Sequence, residues 1–197
     1  ANIEKIREYN TVALRNSQKE IELLNTLLSA TKIDNNKLEL NPDKIDLVEV
    51  VKNSLGEFQK KARYKGLKLI LTRPKKAMIF ADGSRTHEIT DNLIDNAIKY
   101  TSDGRIEVII KALKKNVVFS VKDTGKGIPR KSLPNLGKKF YRVDNYVDSG
   151  SNFNIVRPGG TGLGLYVTFG LAKAMNCRMK VKSVENKGSD FSVYFPV

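Results

Sequence analysis

Across residues 3–33 apolar side chains recur at Ile3, Ile6, Tyr9, Ala13, Ile21, Leu24 and Leu28, spacings that lay one stripe along a helix. No glycine or proline interrupts the segment, so it predicts a single long helix. Its first half is weakly apolar, with Asn10 and Ser17 on or near the stripe. Leu23, Leu24, Leu27 and Leu28 make the second half greasy enough to require a partner, because a lone helix gains little stability in water without packing. Asp34-Asn35-Asn36-Lys37 ends it with turn formers, and Lys37-Leu38-Glu39-Leu40 then alternates as a short strand does.

After a turn expected at Pro42, Asp46 is placed to cap a helix over about residues 47–62. Strands are predicted at 68–72 and 78–81, then a helix from about 85 to 100. Strands at 106–111 and 117–123 flank a polar turn around Lys114-Lys115-Asn116 and resemble a hairpin. A Gly- and Lys-rich stretch, 125–160, precedes a helix over about 164–175, and strands at 179–183 and 191–195 close the chain. This order predicts an α+β fold, a two-layer sandwich in which helices cover one face of a mixed sheet, preceded by the long helix. An irregular stretch as long as 125–160 inside a compact domain is expected to be a functional lid.

Composition narrows the class. The 197 residues suit one medium domain plus an appendage, and 40% apolar with 28% charged residues is ordinary for a soluble globular chain. No apolar run reaches the ~18 residues needed to span a bilayer, and the amino terminus is too charged for a secretory signal. Any membrane anchor would therefore lie upstream. Cys177 is the only cysteine, which excludes an internal disulfide and a cysteine-zinc cluster, fits a reducing cytosol, and predicts a buried structural thiol. The net charge of +14 calls for a polyanionic ligand, and a nucleotide triphosphate is one. The basic residues are scattered, without a helix-turn-helix, a zinc finger or interleaved aromatics, so nucleic acid is not expected as a partner.

Candidate chemistry sits in a few short segments. In Asp91-Asn92-Leu93-Ile94-Asp95-Asn96-Ala97-Ile98-Lys99-Tyr100-Thr101, helical spacing puts Asn92, Asn96 and Lys99 on one face while Leu93 and Ala97 point elsewhere. Asp123-Thr124-Gly125-Lys126-Gly127-Ile128-Pro129 places a carboxylate at a strand end, followed by glycines that permit tight turns and close approach of a ligand. Gly159-Gly160-Thr161-Gly162-Leu163-Gly164-Leu165 opens directly into a helix, whose unpaired amides favour phosphate. Between them, Lys138-Lys139-Phe140-Tyr141-Arg142 sets cations beside an aromatic pair. Gly188-Ser189-Asp190 falls in the turn before the last strand. Each segment alone also fits a solvated face or a surface loop.

Together and in this order, these motifs resemble the catalytic ATP-binding domain of sensor histidine kinases of two-component systems. That superfamily also holds gyrase-type topoisomerases, the large heat-shock chaperone ATPases and mismatch-repair ATPases. The resemblance implies a Bergerat-type fold over residues 35–197 with a lid at about 129–160. It also implies ATP and Mg²⁺ as ligand and cofactor, and site roles carried over by position. Asp123 matches the acceptor for the adenine amino group, and Asn96 the Mg²⁺ ligand, with Asn92 supporting the ion or its waters. Lys99 and Arg142 match cations near the phosphates, which with Asn96 form the catalytic set. Tyr100 matches a residue packed beside adenine, Gly125 and Gly127 shape that side of the pocket, and Ile128 belongs to the ATP-binding set. Phe140 matches the lid anchor, and Tyr141 belongs with it to the ATP-binding set. Gly162 and Gly164 match positions where backbone amides approach the phosphates, and Gly160, Thr161, Leu163 and Leu165 belong to the same ATP-binding run.

Residues 1–34 resemble the second helix of the kinases' dimerisation hairpin, which pairs with another copy as a four-helix bundle, so a homodimer is implied for the full protein. The histidine-bearing first helix is the main departure, since nothing precedes Ala1; the non-Met start is expected of a trimmed segment, and a natural chain that never carried the acceptor is the alternative. His87-Glu88-Ile89 superficially resembles the start of a phosphoacceptor motif but lacks the following Pro-Leu, and His87 is expected to be an ordinary solvent-facing or capping residue. The implied activity is transfer of the ATP γ-phosphoryl group to the absent histidine, for relay to an aspartate on a response-regulator receiver domain. Alternatives are an ATP-hydrolysing clamp, which would need a carboxylate base where Asn92 stands, and a non-catalytic ATP-sensing scaffold.

Overall fold

The computed structural model describes residues 2–143 and 161–197. The chain divides into two compact units, Ala1–Leu38 and Glu39–Val197. The first is helix α1 (Asn2–Asp34), which ends where Asn36 adopts a left-handed φ of 52° and the Lys37 amide bonds back to Lys32 O at 2.9 Å. Along it Ile6, Tyr9, Ile21, Leu24 and Leu28 stand exposed.

In the second unit the elements follow as β1 (Pro42–Asp46), α2 (Leu47–Tyr64), β2 (Lys68–Thr72), β3 (Met78–Asp82), α3 (Gly83–Tyr100), β4 (Arg105–Ala112), β5 (Asn116–Asp123), α4 (Gly164–Ala174), β6 (Arg178–Val184) and β7 (Gly188–Pro196). The first strand corrects the sequence reading. Residues 37–40 form no strand, and the chain instead extends from Pro42, where a turn is expected. Proline is tolerated there because the first residue of an edge strand owes no ladder donor. Antiparallel pairing with β3, from Pro42 opposite Asp82 to Asp46 opposite Met78, makes a separate two-stranded sheet. The stretch expected to be irregular also holds a 3₁₀ helix, Arg130–Asn135.

The main sheet runs β2-β4-β5-β7-β6. Only the β2–β4 pair is parallel, and β3 and α3 supply the crossover that a parallel pair requires. Period-two alternation sends Ile106, Val108 and Ile110, then Val117, Phe119 and Val121, then Phe191, Val193 and Phe195 to one buried face. Register aligns them, with Ile110 opposite Phe119 and Phe119 opposite Val193. Helices α2, α3 and α4 cover this face, with Ile89, Leu93, Ile94, Ala97 and Ile98 of α3 buried in the core. Each such large side chain contributes about 1.5–3 kcal/mol by leaving water.

The site-bearing helix α3 is fixed at both ends. Asp82 caps it by accepting from Arg85 N at 2.9 Å, and its second oxygen accepts from Asn41 N at 2.9 Å. Burial by itself would raise the Asp82 pKa, yet those N–H groups and the Arg85 charge hold it below the ordinary carboxylate value. At the other end Lys65 Nζ, arriving from the end of α2, donates to Ile98 O at 2.7 Å and Lys99 O at 3.3 Å, a cation on exposed helix carbonyls. Midway, the hydroxyls of Ser54 and Thr90 bond at 2.8 Å in the buried α2–α3 contact.

Asp46 behaves as the sequence predicts, capping α2 by accepting from Val48 N at 3.0 Å, and the same oxygen takes Ala77 N at 2.9 Å. Asp46→Ala is expected to destabilise the chain by about 1–2 kcal/mol, since it removes a cap and leaves a second amide unpaired. Urea unfolding of the two proteins measures this directly.

Candidate functional site

The predicted segments assemble into one neighbourhood at the end of the sheet. The α3 face carries Asn92, Asn96 and Lys99 half-buried, whereas Leu93 and Ala97 are in the core, so apolar packing sets the azimuth at which the polar face looks out. Beside it, a Cβ placed on Gly164 would lie 3.3 Å from Asn92 Oδ1, so the glycine run enters α4 directly against the asparagine helix. No side chain caps α4, and Thr161 Oγ1 accepts the Leu163 amide at 3.3 Å just before it. Leu163 itself is 3% exposed and anchors this entry in the core, while Leu165 is half-buried.

Gly162 holds φ +73°, and a Cβ there would meet Phe140 C at 2.7 Å. Phe140 is itself left-handed at φ 61°, an uncommon conformation for a bulky residue, and is held by backbone-to-backbone contact with the glycine. Its ring is exposed and shares the Lys139 ammonium with Tyr166, at 5.7 Å and 5.9 Å. The same turn carries Tyr141, half-buried, whose amide bonds Lys138 O at 3.1 Å. Arg142 comes next and is close enough to Lys99 and Tyr100 to influence both. Burial, then the neighbouring charges of Arg142 and Lys61, hold the Lys99 pKa below its ordinary value against the opposing pull of Asp95. Burial likewise raises the Tyr100 phenol, with Arg142 opposing.

At the other side of Tyr100, its carbonyl accepts the Lys126 amide at 3.2 Å, and a Cβ on Gly125 would lie 2.4 Å from that carbonyl and 2.9 Å from Asp123 Oδ1. Only glycine fits. Gly127, at φ +65°, would bring a Cβ to 2.0 Å from Val184 O, and Ile128 N donates to Ser183 Oγ at 2.7 Å. Asp123 is 7% exposed. Its Oδ1 accepts from Gly125 N at 2.8 Å and Ser189 N at 3.3 Å; Oδ2 takes no bond among the described residues and is not among the buried unpartnered atoms, so it faces accessible space. Desolvation raises the Asp123 pKa, which those two amides and then Asp190 modify in opposite senses.

Sequence reasoning missed Ser183 and Ser189. Ser183 Oγ donates to Gly188 O at 2.9 Å and lies 3.0 Å from Ser189 Oγ, so β6 and β7 brace the Asp123 loop. Gly188-Ser189-Asp190, expected as a turn before the last strand, instead opens β7 in register with β6, and nothing in sequence ties Ser189 to Asp123, sixty-six residues earlier. Gly160, and most of the expected lid, lie outside the described residues. His87 is half-buried rather than solvent-facing, because its Nδ1 pairs with Asp91 Oδ2 at 2.8 Å one helical turn on. Cys177 is half-buried rather than buried; even so its thiol is pushed up to about 12 by desolvation.

Known proteins resemble this chain in sequence and in fold. Residues 81–197 match the family described as histidine kinase-, DNA gyrase B-, and HSP90-like ATPase, more than half of the chain. The chain is 30% identical over 193 residues to the sensor protein kinase WalK of Staphylococcus aureus, covering 96% of this chain and 44% of that protein. It thus spans less than half the length of this curated relative. Among solved structures, full-length ShkA in complex with AMPPNP superposes with a TM-score of 0.78 at 26% identity, over 96% of this chain and 38% of that one. Acinetobacter baumannii histidine kinase AdeS gives 0.74 at 22% identity, over 93% and 81%, a likeness of fold. The chain belongs to the histidine kinase-, gyrase B- and HSP90-like ATPase family, and its second unit is an ATP-binding catalytic domain of the histidine-kinase type.

The raised Asp123 pKa has a stability consequence. The unfolded carboxyl ionises near its ordinary value of 3.8 while the folded one holds its proton to higher pH, so native protein binds more protons in that window and stability from this group falls as pH rises through it. Asp123→Asn removes that penalty and keeps an acceptor for both amides. Its melting temperature relative to the parent is expected to rise as pH is taken from 3.8 to neutrality, which thermal unfolding at a series of pH values checks.

Proposed function

We propose that this chain is the nucleotide half of a sensor histidine kinase, presenting the γ-phosphoryl group of ATP to a histidine on a separate helix for relay to a response-regulator aspartate. The observation that carries the proposal is the polarity of the site along Tyr100. On one side Asp123 offers an oriented acceptor with one oxygen open to a ligand. On the other, Lys99 and Arg142 come together where burial already disfavours the Lys99 charge. An acceptor suits the adenine amino group, and paired cations suit a polyphosphate.

In this reading Asp123 Oδ2 receives the adenine amino proton, Gly125 and Gly127 let the loop approach the base, and Tyr100 packs beside it. The amides of Gly162 and Gly164, at the uncapped start of α4, take phosphate oxygens, and Lys99 with Arg142 offset the charge that builds on the transferring group. The donor set suits Mg²⁺: Asn92 and Asn96, half-buried on one face of α3, offer neutral amide oxygens and would leave the remaining positions of the ion to waters and phosphate oxygens. Asn96, with Asn92 a turn away, would hold the ion, which would supply charge neutralisation across the phosphates. The acceptor imidazole, on the other helix, forms the N–P bond as the bond from γ-phosphorus to ADP breaks. This chain's part is alignment and charge. Residues 1–34 serve, in the same reading, as the second helix of a dimerisation hairpin, residues 35–197 as the catalytic domain with a lid near 129–160, and the working kinase as a homodimer.

Calorimetric titration with ATP and GTP, each with and without Mg²⁺, tests the reading. Saturable, Mg²⁺-dependent binding of ATP and not GTP is expected, and equal affinity for the two bases would overturn it. Asp123→Asn should weaken ATP by roughly 10–100-fold, the worth of one hydrogen bond to a charged group. The depressed Lys99 pKa makes a further prediction with a definite sign. Phosphates arriving beside Lys99 raise its pKa, so binding takes up a proton at alkaline pH and ATP affinity falls as pH rises through that window. Titrations in two buffers of different ionisation enthalpy count the proton, and Lys99→Met should abolish it.

A further inference from the structure

The nucleotide site accounts for few of the cations behind the net charge of +14. The open face of the main sheet, turned away from the helices, gathers another group. Register places Arg178 opposite Tyr194 and Tyr194 opposite Val118, which faces Lys111. One pleat along, Lys180 stands opposite Ser192 and Ser192 opposite Ser120. The next pleat runs Lys182, Asp190, Lys122. Lys111, Lys122, Arg178, Lys180 and Lys182 are all exposed, and none makes an ion pair among the described residues. Two acids share the face and offset it in part, Asp190 standing between Lys182 and Lys122 and Glu107 opposite Lys122, but the cations outnumber them. Glu107 is bound to Arg105 at 2.6 Å, and Asp190 accepts from Ser192 Oγ at 3.0 Å.

We propose that this basic open face of the sheet docks on an anionic lipid surface. The chemistry of the face selects among polyanions. Protein interfaces have an apolar, aromatic centre and are depleted in lysine and serine, whereas the centre here is Ser120 and Ser192 with lysines around them. Single-stranded nucleic acid is held by aromatic rings free to stack on bases; Tyr194 is half-buried, with Arg178 4.7 Å and Lys180 5.4 Å from its ring centroid. Among the described residues of the second unit, no helix lies on this face to enter a duplex groove. What the face does offer is breadth: five strands span roughly 19 Å at the usual strand spacing, with cations projecting on a common side. A sheet of headgroup charge is the partner that such a layer matches, each cation beside it multiplying partition by roughly fivefold.

Co-sedimentation of the chain with vesicles of phosphatidylcholine alone, or with phosphatidylglycerol added, tests this at physiological ionic strength. Binding is expected only to the anionic vesicles and should weaken as salt is raised. Lys180→Gln with Lys182→Gln should lower the partition about 30-fold, and the corresponding Glu pair further still. A control pair on the helical side, Lys60→Gln with Lys173→Gln, removes the same charge and should change partition far less. Thermal transitions matched to the parent keep loss of fold out of the comparison, and the milder Gln pair gives the reading if the Glu pair melts early. Equal loss in the control pair, equal binding to neutral vesicles, or no binding to anionic ones overturns the proposal. So does binding of a single-stranded oligonucleotide that the Lys180 and Lys182 changes abolish while vesicles are ignored.

Discussion

Two backbone amides, from Gly125 and Ser189, converge on one oxygen of Asp123, and much of the second unit is arranged around that convergence. The carboxylate stands at the last position of β5, where the antiparallel ladder with β7 ends and side-chain bonding takes over. Close approach is the requirement. Gly188, at φ +105°, would drive a Cβ to 2.0 Å from Asp123 O, and Gly125 has three oxygens ringed about the place where its Cβ would be. Burial works against ionisation here, and the two amides partly restore it. The result is a carboxylate with one oxygen occupied by the fold and the other oriented for something else.

The second constraint is the setting of α3. Its apolar residues fix the rotation of the helix on the sheet, Asp82 and Lys65 fix its ends, and the functional face follows from those contacts rather than from any contact of its own. Lys99 and Tyr100 occupy the last turn, directly over the carbonyls that Lys65 holds. The position of Lys99 therefore depends on Lys65, the residue just past the end of α2.

What could be read from sequence follows the range of the forces involved. The strand at Lys68–Thr72 is legible to the residue, because the apolar run Leu69-Ile70-Leu71, bounded by Lys68 and Thr72, follows a glycine turn. Helix α3 begins earlier than its periodicity suggests, since Gly83 and Ser84 carry no apolar signal and the cap at Asp82 decides the start. The strand at Pro42–Asp46 looks like a turn locally and exists because β3 pairs with it. The site divides in the same way. Asparagine helix, Asp-Gly loop and glycine run are contiguous and readable; Ser183, Ser189 and Lys65 enter through tertiary contacts with elements distant in sequence. Total charge was visible, but its gathering on one side of the sheet depends on the pairing of β5, β7 and β6.

The lone thiol has a practical consequence. Attack on a labelling reagent needs thiolate, and a group titrating at about 12 exposes only a minute fraction of it near neutrality. The chain is therefore close to a cysteine-free background without any substitution. A cysteine introduced on α1 or on the open side of the sheet would be the preferred target for a maleimide dye or spin label, so distances could be followed spectroscopically while Cys177 stays in place.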